Sequence, residues 1–363
     1  MKILFIVPNK KLIPSSMVRV LSWQTFLDNH NHAVTKFIDY ESTFVIKFGD
    51  FLANNRLCQR HVQVRKSLFR LLCLFNWTYK NMVHLRLRHA AEKYNVYFFQ
   101  WVTIPRKHLE AILNKGTKVV YDYDDAVFIK KPEETDFMIT HAHHVIAGSH
   151  FLFEHALPLN RSTIFLPGAV NLDSFKPAGI QNNRVRIGWI GSKSTAHYLD
   201  IVAPPLNSMK KKGYDFEIMI AGCGQNFMIA DLSPEIKTVI IPAYQSKDIP
   251  TILSGIHIGI MPLQDSLWEN GKSGMKAILY MAASRPVVAS HVGESIYLIQ
   301  NGVTGFLVHN SNEWEIALTE LLTDAKVREK FGRAGRAYAE ENHSLQDYYH
   351  KLFVHVFQNY LSC

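Results

Sequence analysis

Short runs of β-branched and aromatic residues recur along the chain, and between them apolar side chains return at helical spacing. The run "KILFIV" predicts a buried first strand, and the polar loop "PNKKLIPSS", the helix-like "MVRVLSWQTFLDNH" and the strand "HAVTKFIDY" complete one β-α-β unit. Further units follow in "NVYFFQWV", "RKHLEAILN", "KVVYDYD" and "HHVIAGS". Periodicity then breaks in "IFLPGAVNLDSFKPAGIQNN", where Pro167, Gly168, Pro177, Gly179 and paired asparagines have the composition of a linker. Beyond it the alternation restarts with "VRIGWIGS", "LDIVAPPLNSMKKKG", "FEIMIAGCG", "KTVIIPA", "IPTILSGI", "HIGIMPL", "PVVAS" and "TGFLV". The pattern predicts an α/β protein of two doubly wound, Rossmann-like domains, over 1–178 and 179–342. An amphipathic helix over 343–363 is expected to pack back toward the first domain. Open sheets of this kind bind ligands beyond the carboxyl ends of their strands, and two of them facing each other make a cleft.

Composition agrees with a globular chain: 363 residues, 47% hydrophobic and 20% charged, allow two separate cores. No internal repeat or low-complexity tract is evident. The opening apolar run ends at Pro8, too soon for a signal-peptide core, and no stretch approaches the length of a membrane span. Cys58, Cys73, Cys223 and Cys363 are scattered without metal spacing, which fits a reducing compartment and a cytoplasmic location.

Charge changes the picture in one place. The formal excess of +9 is concentrated between Arg56 and Lys93, where nine basic residues face Glu92 alone. Interleaved with them are Leu68, Phe69, Leu71, Leu72, Leu74, Phe75, Trp77, Val83 and Leu85. Basic and large apolar residues mixed at helical spacing describe an interfacial helix on anionic lipid, each nearby cation contributing about 1 kcal/mol. The membrane-surface partner is therefore assigned to residues 56–93. A core helix with a basic outer face is the competing reading, and nucleic acid is disfavoured because no recognition motif accompanies the patch.

Three clusters carry candidate chemistry. In "GKSGMKAILYMA" Lys272 and Lys276 stand four apart at the start of a helix-like run, where like charges repel and the helix dipole disfavours cations. The placement suits an anion, with Ser273, Gly274 and Met275 able to bring backbone N–H groups to a phosphate; a solvated loop is the bland alternative. "VVYDYDDAVF" ends a strand with Asp122, Asp124 and Asp125, a set that suits Mg²⁺ held with substrate phosphates or, more plainly, a helix cap. "HAHHV" offers His141, His143 and His144, but alternation would point neighbours apart and no fourth ligand is evident for zinc.

The motifs "FLPGAVNLDSFKP", "GWIGS", "IAGCG", "PVVASHVGE", "NGVTGFLV" and "FGRAGRAYAEENHSLQDY", in this order and spacing, resemble the GT-B glycosyltransferases, and within them the retaining family 4. "GWIGSKSTAHYLD" and "GKSGMKAILYMA" further resemble a bacterial branch active in surface-polysaccharide assembly. The resemblance implies a nucleotide diphosphate sugar held by the C-terminal domain and a glycan or lipid-linked acceptor entering from the N-terminal one. With the cysteine usage and the basic segment, the expectation is a cytoplasmic enzyme peripheral to the inner face of the membrane; the resemblance implies cationic side chains in place of Mg²⁺, with no cofactor required.

Departures from the family pattern matter equally. The family's glutamate pair would fall at Gly271 and Leu279, and its diphosphate-binding Arg and Lys near Ser192 and His197. None of the four is present, so Lys272 and Lys276 are expected to supply the charge from the opposite loop, with Gly191 and Ser192 on the phosphate side. Glu269 is the candidate substitute for the first glutamate, and Tyr244 for contact with the base. Ser284 replaces a common glycine. Asp124 falls where the family often carries a sugar-contacting His, and with Asp125 it is the candidate for orienting hydroxyls or stabilising an oxocarbenium-like transition state. Ser15, Ser16 and Arg19 match the acceptor-side loop, although Arg19 reads equally as a solvated helix residue. With no evident nucleophile the resemblance implies front-face retention, the departing phosphate oxygen taking the acceptor proton. A catalytically silent relative that binds nucleotide sugar or a partner, and an epimerase on the same fold, are the competing readings.

Overall fold

The computed structural model describes residues 1–9, 19–20, 34–54, 62–175 and 184–360. The chain divides into two compact units, one made of Met1–Gly148, Leu152–Leu166 and Lys351–Cys363, the other of Ser149–Phe151 and Pro167–His350.

The first unit holds a parallel sheet of β1 (Lys2–Val7), β2 (Val34–Asp39), β3 (Val96–Gln100), β4 (Lys118–Tyr123), β5 (His144–Ala147) and β6 (Thr163–Phe165), in the order β2-β1-β3-β4-β5-β6. Phe5, Tyr97, Phe98, Phe99, Tyr121 and Tyr123 are almost wholly enclosed. Burial on both faces explains why these strands read as continuous apolar runs without alternation. Phe357, near the C-terminus, is enclosed too and stacks on Phe98 with ring centroids 6.3 Å apart.

The basic segment forms the helix Val62–Ala90, packed beside Thr43–Asn54. Leu72, Val83 and Leu87 face inward, while Leu71, Leu74, Phe75, Trp77, Met82 and Leu85 are exposed. The outer face is thus apolar as well as basic, which a core helix with a merely basic exterior would not require. Arg56 and Arg60 lie outside the described residues. No described helix is long and apolar enough to cross a membrane.

In the second unit β7 (Val185–Ile190), β8 (Phe216–Ala221), β9 (Lys237–Ile241), β10 (Ile258–Met261), β11 (Val287–Ser290) and β12 (Gly305–Val308) form another parallel sheet, ordered β12-β11-β10-β7-β8-β9. Strand order reverses between β7 and β10, the position at which doubly wound sheets open a crevice. These two strands pair only at Ile187↔Ile258 and Gly188↔Gly259. Past that point the Tyr280 hydroxyl stands between them, accepting from Ile190 N at 3.1 Å and donating to Ile260 O at 3.2 Å. A Cβ on Gly259 would lie 2.3 Å from the Tyr280 ring, so glycine lets the ring rest against the strand. Ser284, which stands where the resemblance implies glycine, adopts φ 58, the left-handed conformation that glycine takes without strain.

The stretch with linker composition is stitched into this unit. Val170 N donates to His343 O at 2.9 Å and Leu345 N to Val170 O at 3.0 Å. Consequently the chain changes unit at Pro167, ahead of the expected 178, and the second unit continues beyond 342 to His350.

Replacing Tyr280 with Phe strands a buried N–H and a buried C=O at once. Urea titration of Y280F is expected to show a loss of about 1–3 kcal/mol in unfolding free energy.

Candidate functional site

The crevice between β7 and β10 gathers most of the residues singled out in the second unit. On the β7 side the chain leaves Ile190 through Gly191 and Ser192. A Cβ on Gly191 would sit 2.3 Å from the Trp189 ring and 3.1 Å from Lys276 Cε, so only glycine admits the lysine stem this close to the loop. Gly191 N donates to Ala221 O at 3.0 Å, and the Tyr244 hydroxyl donates to Gly191 O at 3.0 Å. Tyr244 therefore props the loop, and burial pushes its phenol up to about 12. Ser192 closes a tight turn, its carbonyl accepting from Thr195 N at 2.9 Å and from the Thr195 hydroxyl at 3.1 Å.

On the β10 side the short helix Leu267–Asn270 leads through Gly271, Lys272 and Ser273 to Gly274, whose φ of +65 turns the chain into the helix Met275–Ala282. The N-terminal end of a helix carries unsatisfied N–H groups and partial positive charge, and here it adds to the two side chains. Lys272 Nζ lies 5.8 Å from the Trp268 ring centroid, and Lys276 Nζ lies 5.5 Å from that of Trp189. Each ammonium therefore rests over an indole face. Met275 packs so tightly on Gly168 that a Cβ there would be 2.7 Å from its sulfur.

Three contacts frame the lysine loop. The Ser149 hydroxyl donates to Gly271 O at 3.3 Å, and Gly293 N donates to the Asn270 side chain at 2.9 Å. Glu294, buried behind Gly274, accepts from His150 N at 2.8 Å and pairs with His150 Nδ1 at 3.0 Å. Burial pushes the Glu294 carboxyl up, against the opposing pull of His150.

Glu269 is 7% exposed, and its two carboxylate oxygens accept from the hydroxyls of Tyr198 and Ser266. Burial by itself would raise its pKa, but the Ser266 and Tyr198 hydrogen bonds, aided by Lys272, hold the carboxyl below its ordinary value. Its carbonyl also accepts from Lys272 N at 3.1 Å. Glu269 thus fastens the lysine loop by both side chain and backbone. The sequence pattern assigns no role to Tyr198, Ser266, Trp189 or Trp268, although Trp189 and Tyr198 lie within "GWIGSKSTAHYLD" and Ser266 and Trp268 stand within three residues of Glu269.

The first unit carries the second cluster. Arg19 is 3% exposed, not a solvated helix residue, and its guanidinium grips Asp122, with Nε 2.9 Å from Oδ2. A Cβ on Gly148 would touch both Asp124 Cβ at 2.9 Å and Arg19 Nη1 at 3.2 Å, which puts Asp124 beside this pair. Burial pushes the Asp124 carboxyl up to about 7; Arg19 opposes that shift, while Asp125 and Asp122 add to it. Asp125 uses its carbonyl to accept from Val127 N at 2.7 Å. Ser15 and Ser16 lie outside the described residues.

The histidines of "HAHHV" take separate partners. His141 Nδ1 is 2.9 Å from Phe137 O, His143 Nδ1 accepts from Val119 N at 3.2 Å, and His144 meets the Tyr360 hydroxyl. Among the described residues no three His, Cys, Asp or Glu side chains gather as a metal site.

Two doubly wound parallel sheets give this chain the GT-B fold of its structural neighbours. Residues 184–324 match the family model described as "Glycosyl transferases group 1". Anabaena Alr3699/HepE, solved in complex with UDP-glucose, has a TM-score of 0.70 at 14% identity, covering 99% of this chain and 100% of that one. A glycosyltransferase from Rickettsia africae ESF-5 gives 0.68 at 17% identity, covering 99% and 98%. At such identities the likeness is one of fold. The D-inositol 3-phosphate glycosyltransferase of Paenarthrobacter aurescens is 39% identical over 69 residues, 18% of this chain and 17% of that protein. Its counterpart from Corynebacterium aurimucosum is 29% identical over 120 residues, 32% and 25% respectively. The matched segments span a quarter or less of these two curated relatives.

Between pH 4 and 7 the folded chain keeps a proton on Asp124 that the unfolded chain has released, so this group makes stability fall as pH rises through that window. Relative to D124N, wild-type unfolding free energy is expected to drop by about 1.4 kcal/mol per pH unit there. Parallel urea titrations of the two proteins at pH 5, 6 and 7 measure it.

Proposed function

We propose that this chain is a retaining glycosyltransferase that moves a sugar from a nucleotide diphosphate sugar to a glycan or lipid-linked acceptor. The observation that carries the reading is the pair Lys272 and Lys276, set at the N-terminal end of the helix Met275–Ala282 beside the β7–β10 crevice. Two ammoniums and a helix terminus neutralise a departing diphosphate without a metal, so no cofactor is required. The amides of Ser273, Gly274 and Met275 approach the phosphates from one loop, and Gly191 and Ser192 from the other. The leaving phosphate oxygen takes the acceptor proton, so the protein positions and neutralises without supplying a nucleophile. Asp124, its carboxyl raised toward neutrality, orients sugar hydroxyls, with Asp125 next in the chain. Arg19 acts at one remove, by holding Asp122.

The test is nucleotide-dependent thermal stabilisation across UDP, GDP and ADP. The nucleotide that stabilises the wild type is expected to bind K272A and K276A about 10- to 100-fold more weakly, the span lost with a hydrogen bond to a charged group. Uridine, guanosine or adenosine alone should bind all three proteins equally. Unchanged diphosphate affinity in both variants removes the assignment.

The acceptor is placed at the cytoplasmic face of a membrane. Phe69, Leu71, Leu74, Phe75, Trp77 and Leu85 are exposed on a helix that also carries Lys66, Arg70, Arg86 and Arg88, and this pairing of apolar area with cations suits an anionic lipid surface better than solvent. Flotation with phosphatidylglycerol-containing vesicles is expected to carry the wild type at low salt and to lose it with neutral vesicles. The double variant F75S/W77S should stay in the bottom fraction.

The engagement of both Glu269 oxygens favours a second reading, a silent relative that binds nucleotide sugar without transfer. Release of free sugar from UDP-glucose, GDP-mannose or ADP-glucose by purified protein decides for the enzyme.

A further inference from the structure

The helix Val62–Ala90 is apolar on two sides, and only one of them is covered. Leu72, Val83 and Leu87 are buried, whereas Leu71, Leu74, Phe75, Met82 and Leu85 recur at helical spacing along another face and stay exposed. The neighbouring helix Thr43–Asn54 repeats the pattern: Phe44, Phe48 and Phe51 share one face, with Phe44 56% and Phe51 52% exposed. Their rings form a ladder, Phe44 on Phe48 with centroids 5.4 Å apart and Phe48 on Phe51 at 6.0 Å. Phe44 also meets Phe75 edge-on at 5.5 Å, which joins the two exposed faces into one ridge. Exposed apolar residues scattered singly are ordinary, but an aromatic ladder continuous across two helices marks an interaction surface.

Charge narrows what can cover the ridge. The helix Val62–Ala90 contains Arg65, Lys66, Arg70, Lys80, Arg86 and Arg88 and no acidic residue. Lys80 pairs with Glu41 at 3.4 Å, and Lys47 adds an exposed cation on the neighbouring helix. A second copy of this chain docked by the same face would set these cations against their own counterparts, since a two-fold contact places each patch on itself. An anionic leaflet instead offers phosphates to the cations and hydrocarbon to the rings. Adsorption onto headgroups alone would satisfy the cations and leave the rings in water.

Resting on the lipid-surface reading given above, and going past it, we propose that the helices Thr43–Asn54 and Val62–Ala90 form one anchor that enters the acyl-chain region of a lipid leaflet. Phe44, Phe51, Phe75, Leu71, Leu74 and Leu85 are the inserted side chains, and the cations lie at the depth of the phosphates. An interfacial helix buries its apolar face about 5–10 Å deep, at the boundary between headgroups and acyl chains. Adsorption and insertion respond differently to salt: electrostatic attachment fades once the Debye length falls to about 3 Å at about 1 M, whereas burial of apolar area does not.

The experiment floats wild type and F44S/F51S with vesicles of phosphatidylcholine and phosphatidylglycerol at about 0.1 M and about 1 M NaCl. Wild type is expected to float at both. F44S/F51S keeps every cation and changes only exposed side chains, so it should melt at the wild-type temperature, bind about 10- to 100-fold more weakly at low salt and be released at high salt. Bromine on the acyl chains should quench emission from F75W more than from wild type. Wild type that floats at low salt and is released at high salt overturns insertion while leaving surface attachment standing. Equal flotation of wild type and F44S/F51S at high salt, or F75W quenched no more than wild type, also overturns it. Wild type that floats at neither salt removes both readings. Should F44S/F51S fail to fold, F75W carries the test. Sedimentation equilibrium without lipid covers the remaining occupant: a wild-type dimer that F44S/F51S dissolves assigns the ridge to a second copy and overturns the proposal.

Discussion

One phenolic hydroxyl underlies the geometry of the second unit. β7 and β10 part company after two paired residues, and two backbone groups would be left stranded in the interior without Tyr280 between them. Burial raises the Tyr280 phenol well above its ordinary value, so the hydroxyl stays protonated and can both accept and donate. Because Tyr280 belongs to the helix Met275–Ala282, this wedge also fixes that helix against the sheet, and with it the height at which Lys276 meets Gly191. The crevice and the charge beside it are consequences of the same contact.

The two units solve opposite electrostatic problems at corresponding strand ends. In the second, positive charge is brought to a helix terminus that would ordinarily repel it, and indole faces and a fastened glutamate make the arrangement tolerable. In the first, three aspartates crowd one strand end. One arginine neutralises Asp122 in a buried fork, and Asp124 is left to hold on to its proton. A buried ion pair contributes little net stability but strongly penalises loss of either partner, so it holds a local geometry more than it strengthens the fold.

Much of the architecture was legible in the order of residues. Strands buried on both faces announce themselves as apolar runs, and "KILFIV", "VYFFQ" and "VRIGWI" are strands in the structure. Lys272 and Lys276 stood out because their spacing violates helix electrostatics, a local rule. Contacts between residues far apart in the chain were not legible. Arg19 and Asp122 are separated by 103 positions and Tyr198 and Glu269 by 71, and no local pattern links either pair. The exchange of units at Pro167 escaped notice for the same reason, since the bridge from Val170 to Ser344 turns a loop-like composition into ordered structure.

The lysines' resting places have a spectroscopic consequence. Indole emission responds to the field of a nearby charge, and Trp189 and Trp268 each have an ammonium over the ring. Any event that draws Lys272 or Lys276 away changes the colour of an adjacent fluorophore, so the protein carries its own optical readout of whether its cationic loop is engaged.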